Sequence, residues 1–291
     1  MKEMRSDLQT IEWLGMQIHV PADWEIVRHS VNQHAGSLIM VDRRRQRMQL
    51  SWTECASPPD EKRIFEDFRS RDLKENPGCK LEDVFQCGPF TCYRRITGPF
   101  VVTRAGMYDR RWRRWVDVAI PWPEGREEAL EGRILESFRT AQRDAKTMRW
   151  RAFRLDFLLP SQWRLCAADV RPGRVTMSFE HDGITAAVTR VGAVDGWFDG
   201  HLDHYLKKQV DNAVGTYTIS KRGQHEACVF TGKERRFHPR WLMGRRRVRS
   251  DIAWHCPDSK ALYQVMIMGR AGADMLVDMV QVNCCGGRTD Q

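Results

Sequence analysis

The stretch Leu14-Gly-Met-Gln-Ile-His-Val-Pro-Ala-Asp-Trp24 returns in altered letters as Phe153-Arg-Leu-Asp-Phe-Leu-Leu-Pro-Ser-Gln-Trp163, 139 residues later. Leu14, Met16, Ile18 and Val20 alternate with Gly15, Gln17 and His19, the period of a half-buried strand. Phe153, Leu155, Phe157 and Leu159 do the same around Arg154 and Asp156. A proline followed three residues later by a tryptophan closes both runs. A repeat of this length governs how the remaining sequence is read.

Downstream the two halves stay in step. Gly36, Leu38 and Met40 align with Gly173, Val175 and Met177, and Met48, Leu50 and Trp52 align with Ile184, Ala186 and Val188. Each pair of alternating runs brackets a polar tip, Asp42 to Gln46 or Glu180 to Gly183, so each reads as a β-hairpin. Helical spacing then takes over, through Ile64, Phe65 and Phe68 after Pro58-Pro59 and through Phe198, Leu202, Tyr205, Leu206 and Val210 after Trp197. Further strands follow, aligning Cys92 with Cys228 and Asp117-Val-Ala-Ile-Pro-Trp-Pro-Glu124 with Asp251-Ile-Ala-Trp-His-Cys-Pro-Asp258. A closing helix is expected around Leu130, Ile134, Leu135 and Phe138, and again around Met275, Leu276, Met279 and Val280. Ala261 to Met268 reads as a buried strand with no counterpart in the first half, so one strand fewer is expected there.

The expectation is therefore an α+β fold in two tandem copies, each an antiparallel sheet with covering helices in the order β-ββ-α-βββ(β)-α. The polar segment from Thr140 to Met148 is the natural joint, giving domains 1–143 and 144–291.

Val20-Pro-Ala-Asp-Trp24 with Gly36, and Leu159-Pro-Ser-Gln-Trp163 with Gly173, resemble the PsbP-like fold, which also houses DcrB-type bacterial proteins and Ran-binding factors. The resemblance implies a non-catalytic accessory, chaperone or assembly protein. The Arg-rich strands described below are not part of that pattern.

The chain has 291 residues, 42% hydrophobic and 29% charged, with a net charge of +9. It is too apolar and aromatic for a disordered chain and long enough for two cores. No apolar run of membrane-spanning length is present, and Met1 to Leu8 mixes acids and bases, so neither a membrane span nor a signal peptide is expected. Nine cysteines, most of them single among strand-like residues, suit reduced thiols in a cytoplasm.

Enzyme signatures are absent: no G-x-S-x-G, no phosphate-binding loop, no G-x-G-x-x-G and no H-E-x-x-H. Cys256 follows His255 directly, and strand neighbours point to opposite faces, so that pair is badly placed for activating a thiol. His201 and His204, three apart on a helix, are candidate metal ligands with Cys256 or Cys284-Cys285 as distant additions. No standard zinc spacing supports them, and no cofactor is expected.

The positive charge is local. Four Arg against Asp42 lie in 42–47, five Arg against Asp109 in 104–115, and eight basic residues against Glu234 in 233–249, so the rest of the chain is net acidic. Arg110-Arg-Trp-Arg-Arg-Trp115 and Pro239-Arg-Trp-Leu-Met-Gly-Arg-Arg-Arg-Val-Arg249 occupy equivalent places in the two copies. Arg111, Arg113, Arg245 and Arg247 with Trp112, Trp115 and Trp241 combine phosphate-pairing guanidiniums with base-stacking rings. In the plainer reading the arginines solvate the outside of a strand whose tryptophans fill the core. Trp122, Trp254 and Cys256, at aligned strand ends, are candidates to line a groove between the halves. The functional expectation is a non-catalytic cytoplasmic binding or assembly factor with a protein partner. Nucleic-acid binding through the paired Arg/Trp strands is the alternative, and a small-ligand or metal-dependent enzyme the third. Neither the partner nor the oligomeric state is written in the sequence.

Overall fold

Strand alternation starts earlier than Leu14. In the computed structural model, which describes residues 7–142, 145–210, 213–234, 247–270 and 273–285, Leu14 is itself a turn residue. It joins strand β1 (Leu8–Trp13) to β2 (Met16–Pro21), paired in register from Leu8 opposite Pro21 to Trp13 opposite Met16. Leu14 and Gly15 have φ of 50° and 74°, the two positive values that a tight type I′ hairpin needs. The chain divides into two units, Met1–Ala145 and Lys146–Gln291, and the second opens in the same way.

In the first unit, β3 (Glu25–His29), β4 (Ala35–Val41) and β5 (Gln46–Glu54) form a meander, followed by helix α1 (Glu61–Glu75). Then come β6 (Lys80–Leu81), β7 (Phe85–Cys87), β8 (Phe90–Thr97), β9 (Phe100–Asp109), β10 (Arg114–Trp122), helix α2 (Glu128–Glu136) and β11 (Arg139–Thr140). The large sheet runs β3-β4-β5-β10-β9-β8-β6, with β7 also on β8, and β11 returns to pair with β2. Leu38 faces Leu50 and Met40 faces Met48 across one ladder; Val116 faces Trp52 and Val118 faces Leu50 across the next. All are buried, so this face is core. Gly36 sits opposite Trp52, where a Cβ would fall 2.6 Å from the indole and 2.4 Å from the Ser30 side chain. Only glycine fits that contact.

In the second unit β12 (Thr147–Ala152) and β13 (Leu155–Pro160) form the opening hairpin, and β14 (Arg164–Arg171), β15 (Arg174–His181) and β16 (Ile184–Val191) the meander. A 3-10 turn and helix α3 (Leu202–Gln209) lead to β17 (Ala213–Arg222), β18 (His225–Glu234), β19 (Val248–Cys256) and β20 (Ala261–Gly269). A 3-10 helix (Ala273–Met279) and β21 (Gln281–Val282) complete it, β21 pairing with β13. The sheet order is β14-β15-β16-β20-β19-β18-β17.

The α+β expectation is overturned: three α-helices stand against twenty-one strands among the described residues, a β-rich antiparallel class. The cause is what covers the sheet. Helices do not do this alone, because the opening hairpin contributes its apolar side: Trp150 lies opposite Phe157, and both rings pack on Phe179 of β15, with centroids 5.0 and 5.8 Å away. In the first unit Trp13 donates its indole N–H to the Ser30 carbonyl beyond β3 (2.9 Å). A single helix serves the opposite face of each large sheet, α1 through Phe65 on Tyr93 and Trp115, and α3 through Leu202, Tyr205 and Leu206 on Cys228, Phe230 and Leu262. The second closing helix is the 3-10 segment.

The expected missing strand is a second correction. By position β10, which pairs β5 and β9, matches β20, which pairs β16 and β19; the Asp117 and Asp251 stretches therefore lie in non-equivalent strands. The two units differ instead at the sheet edge, where β6 and β7 stand in place of the unbroken β17. Gly173 is likewise no partner of Gly36, because it occupies the β14–β15 turn with φ of 75°. The Pro-x-x-Trp motifs form the same turn in both units: Trp24 N–H donates to Pro21 O (3.0 Å) and Trp163 N–H to Pro160 O (3.1 Å), with both indoles buried.

The arginine-rich β4–β5 tip is ordered by Asp42, whose carboxylate accepts from the Arg44 and Arg45 amides (2.7 and 2.8 Å) and from Arg47. Burial opposes ionisation of Asp42, but these donors outweigh it and hold its pKa at about 2. A depressed carboxylate pKa stabilises the fold fully above the unfolded value of about 4, and the contribution is lost as pH falls through the folded value. We therefore expect Asp42→Asn to flatten the acid limb of a stability-versus-pH curve between about pH 4 and 2. An unchanged slope would show that the tip is not held this way.

Candidate functional site

The Arg/Trp segment of the first unit is a turn and a strand start, and its tryptophans are occupied. Arg110 to Arg113 form the β9–β10 turn, with Arg113 at φ 51° and the Asp109 carboxylate accepting the Arg111 amide (3.0 Å). Trp112 covers Gly15, where a Cβ would come 2.8 Å from the ring, and donates its N–H to Ala141 O (3.0 Å). Trp115 is buried against Phe65. Arg114 is 3% exposed and donates to Leu14 O (2.9 Å); desolvation lowers its pKa to about 10, against the pull of Asp109. Arg111 and Arg113 remain exposed, and Arg113 also reaches the Ala56 carbonyl. No stacking surface forms there, since both rings face protein. In the second unit Arg247 is exposed, while Trp241 and Arg245 lie outside the described residues.

Trp122 is buried within the first unit, donating to Thr103 Oγ1 (3.1 Å). Trp254 and Cys256 are buried within the second. His201 and His204 set their rings 5.0 Å apart at a 44° tilt, and His204 faces the carboxylates of Asp199 and Asp203 at 3.5 and 3.9 Å. The structure does not bring the cysteines to them.

It brings the cysteines to His225 instead. Ala227 pairs with Trp254 across the β18–β19 ladder, so extending that register by two residues sets His225 at the start of β18 across from Cys256 at the end of β19. Both are buried, at 8% and 0% exposure. The segment after β21 runs back along the same end of the sheet, held by Asn283 N–H on Asp156 O (2.8 Å), and delivers Cys284 and Cys285. One donor atom from each of His225, Cys256, Cys284 and Cys285 lies within 4.8 Å of all the others. His225 Nε2 is 2.9 Å from Cys285 Sγ, and the Cys256–Cys285 and Cys284–Cys285 Sγ separations are both 3.7 Å.

Two side-chain N–H groups aim at these sulfurs. Trp254 Nε1–H points at Cys284 Sγ (3.4 Å) and Gln224 Nε2–H at Cys285 Sγ (3.3 Å). Arg222 lies over the Trp254 ring at 5.9 Å. These residues line an open cleft of about 470 Å³. Burial, then the neighbouring Cys284 and Cys256 sulfurs, push the Cys285 thiol up to about 12. Burial also opposes ionisation of Cys256, but hydrogen bonds from Ser259, Cys285 and Cys284 outweigh it and lower that thiol. Sequence reasoning missed His225 because its partners are 31, 59 and 60 residues away; strand register and the returning segment after β21 unite them.

No family model matches the chain, and no curated protein matches it. Among solved structures it is similar to the apo structure of the immunity protein TplEi of the T6SS from Pseudomonas aeruginosa, at 9% identity and TM-score 0.43, over 96% of this chain and 98% of that one. Similarity of that degree assigns neither family nor activity, and the PsbP-like resemblance finds no counterpart in these comparisons.

Proposed function

We propose that the protein is a non-catalytic binding or assembly factor that takes up an extended, acidic segment of a protein partner as an added strand on β17. The observation that carries this reading is the edge itself. β17 ends its sheet, is paired to β18 along all ten residues, and leaves seven of the ten exposed. Its sequence, Ala-Val-Gly-Thr-Tyr-Thr-Ile-Ser-Lys-Arg, is rich in strand formers, with Val214 and Ile219 52% and 67% exposed. Among the described residues no further strand pairs with this edge, and a long edge strand presents unpaired backbone groups to any extended chain. Exposed Lys221 at one end and Lys233, across from Val214, at the other favour acidic flanks on the incoming strand.

Internal duplication with a joint near residue 143 is part of the proposal, supported by the common sheet order and the common Pro-x-x-Trp turn. A reducing, cytoplasmic location is supported by nine unpaired thiols. Among the described residues no helix is long and apolar enough to cross a membrane.

The test is selection from a displayed library of ten-residue peptides against the full chain. Selected peptides are expected to be strand-forming with Asp or Glu flanks, to protect the amides of Ala213 to Arg222 from exchange, and to weaken at least about tenfold with Ile219→Asp, the loss of about 1.4 kcal/mol. Binders whose protection maps elsewhere would sink the reading.

A further inference from the structure

We propose that His225, Cys256, Cys284 and Cys285 form a Cys3His site for a single Zn²⁺ ion, closed to substrate and serving to clasp the C-terminal segment to the end of the large sheet of the second unit. Three independent features converge on it. The first is donor chemistry: three sulfurs and one imidazole nitrogen are a standard structural zinc set, and four protein donors fill a tetrahedral shell with no position left for water or substrate.

The second is size. With Zn–S about 2.3 Å and Zn–N about 2.0 Å, a regular tetrahedron has S–S edges of about 3.8 Å and S–N edges of about 3.5 Å. Two Sγ–Sγ separations are 3.7 Å, already at that edge. The His225–Cys285 contact of 2.9 Å must open by about half an ångström, and the widest pairs, within 4.8 Å, must close by about one. Cys284 and Cys285 sit on an irregular segment beyond β21, so both adjustments fall where the backbone is least constrained.

The third is the outer shell. Three thiolates and Zn²⁺ carry one net negative charge. The Trp254 and Gln224 N–H groups aimed at Cys284 and Cys285 sulfur are donors of the kind such a site recruits, and Arg222, above the indole, is held there by Asp278 (3.0 Å). Binding displaces the thiol protons to solvent, with no oxidant or reductant involved.

The experiment uses the full chain, reduced and then freed of metal, with its thiols counted by a disulfide reagent before Co²⁺ and Zn²⁺ are added. Cobalt is expected to bind at one equivalent, with a near-ultraviolet thiolate-to-metal band and the intense visible bands of tetrahedral Co²⁺. Zn²⁺ should displace it, and metal analysis of protein purified without chelator should find zinc. The paired variant Cys284→Ser/Cys285→Ser, altered only in the irregular segment, should lose the bands, and His225→Ala should weaken uptake at least tenfold. Fully reduced wild-type protein that shows only the pale octahedral cobalt spectrum overturns the proposal. So do bands that persist in the paired variant, and iron or copper in place of zinc in the purified protein. Because the wild-type titration needs no variant to fold, and because cobalt spectra and metal content are read without any peptide on β17, failure here leaves the edge-strand reading standing, and the reverse.

Discussion

Glu131→Ala is expected to destabilise the first unit by about 3–5 kcal/mol. Glu131 lies on α2, 1% exposed, and one carboxylate joins four donors. Its Oε1 accepts Arg94 Nε and NH2 (3.2 and 2.8 Å), and its Oε2 accepts Thr103 Oγ1 and Arg126 Nε (2.6 and 3.1 Å). Arg94 is itself only 11% exposed at the side chain and stacks 3.9 Å from the Phe85 ring centroid. Burial works to lower the Arg94 pKa, yet its bonds to Glu131 and Glu82 more than compensate and raise it. Deleting Glu131 leaves that guanidinium with only the part-exposed Glu82 at 2.8 Å, and an uncompensated buried charge is among the costliest single defects. The chain reaches further in, because Thr103 Oγ1 also accepts the Trp122 indole N–H. Denaturant unfolding of the full chain, followed by near-ultraviolet circular dichroism, measures the loss. Glu131→Gln should fall between the parent and alanine, and the pair Arg94→Met/Glu131→Leu should recover most of the stability by removing both charges. A loss below about 1 kcal/mol for Glu131→Ala would mean that Arg94 finds solvent or another partner.

How far the sequence discloses the fold depends on which physical signal each element carries. Asp182-Gly183, with φ of 48° and 74°, is the turn dipeptide that hairpins prefer, and that hairpin is legible from its letters. Phe153-Arg154 adopts the same positive values, 55° and 63°, without a glycine or asparagine to announce them. Phe153 therefore reads as the first apolar residue of a strand, and β12 ahead of it goes unseen, although its Trp150 and Ala152 alternate correctly. β1 and β12, missed in this way, each belong to a hairpin that covers a large sheet; the helices announced by apolar spacing do form, as α1, α2 and α3, but strands share the cover with them. The Arg110 to Arg113 run shows the reverse error: alternating Arg and Trp suggest a strand, but the backbone turns there because Asp109 caps the loop through its side chain. Of the four residues proposed to hold zinc, the cysteines are visible in the sequence only as distant additions to His201 and His204, and His225 carries no local signal. Their donors converge through ladder register and a returning tail, neither of which a spacing rule records.

Trp150→Ala tests the sheet-covering role of the hairpin and is expected to cost the second unit about 3–5 kcal/mol. Trp150 is 1% exposed and Phe157 and Phe179 are fully buried, and the indole meets Phe179 edge-on at 69°, a geometry that adds to the burial of the rings themselves. Its backbone lies in β12, so alanine leaves the ladder with β13 intact and removes only the interlayer filling. Trp150→Phe should retain most of the stability, since a smaller ring still reaches Phe179, and a double change with Phe179→Ala should cost less than the sum of the two single changes, because both empty one shared space. A surface hairpin merely resting on a helix-covered sheet would behave differently: Trp150→Ala would shift the denaturation midpoint by no more than an ordinary surface substitution, about 0.5 kcal/mol, and would be additive with Phe179→Ala. The size of the coupling between these two rings therefore decides whether strands or helices close the core.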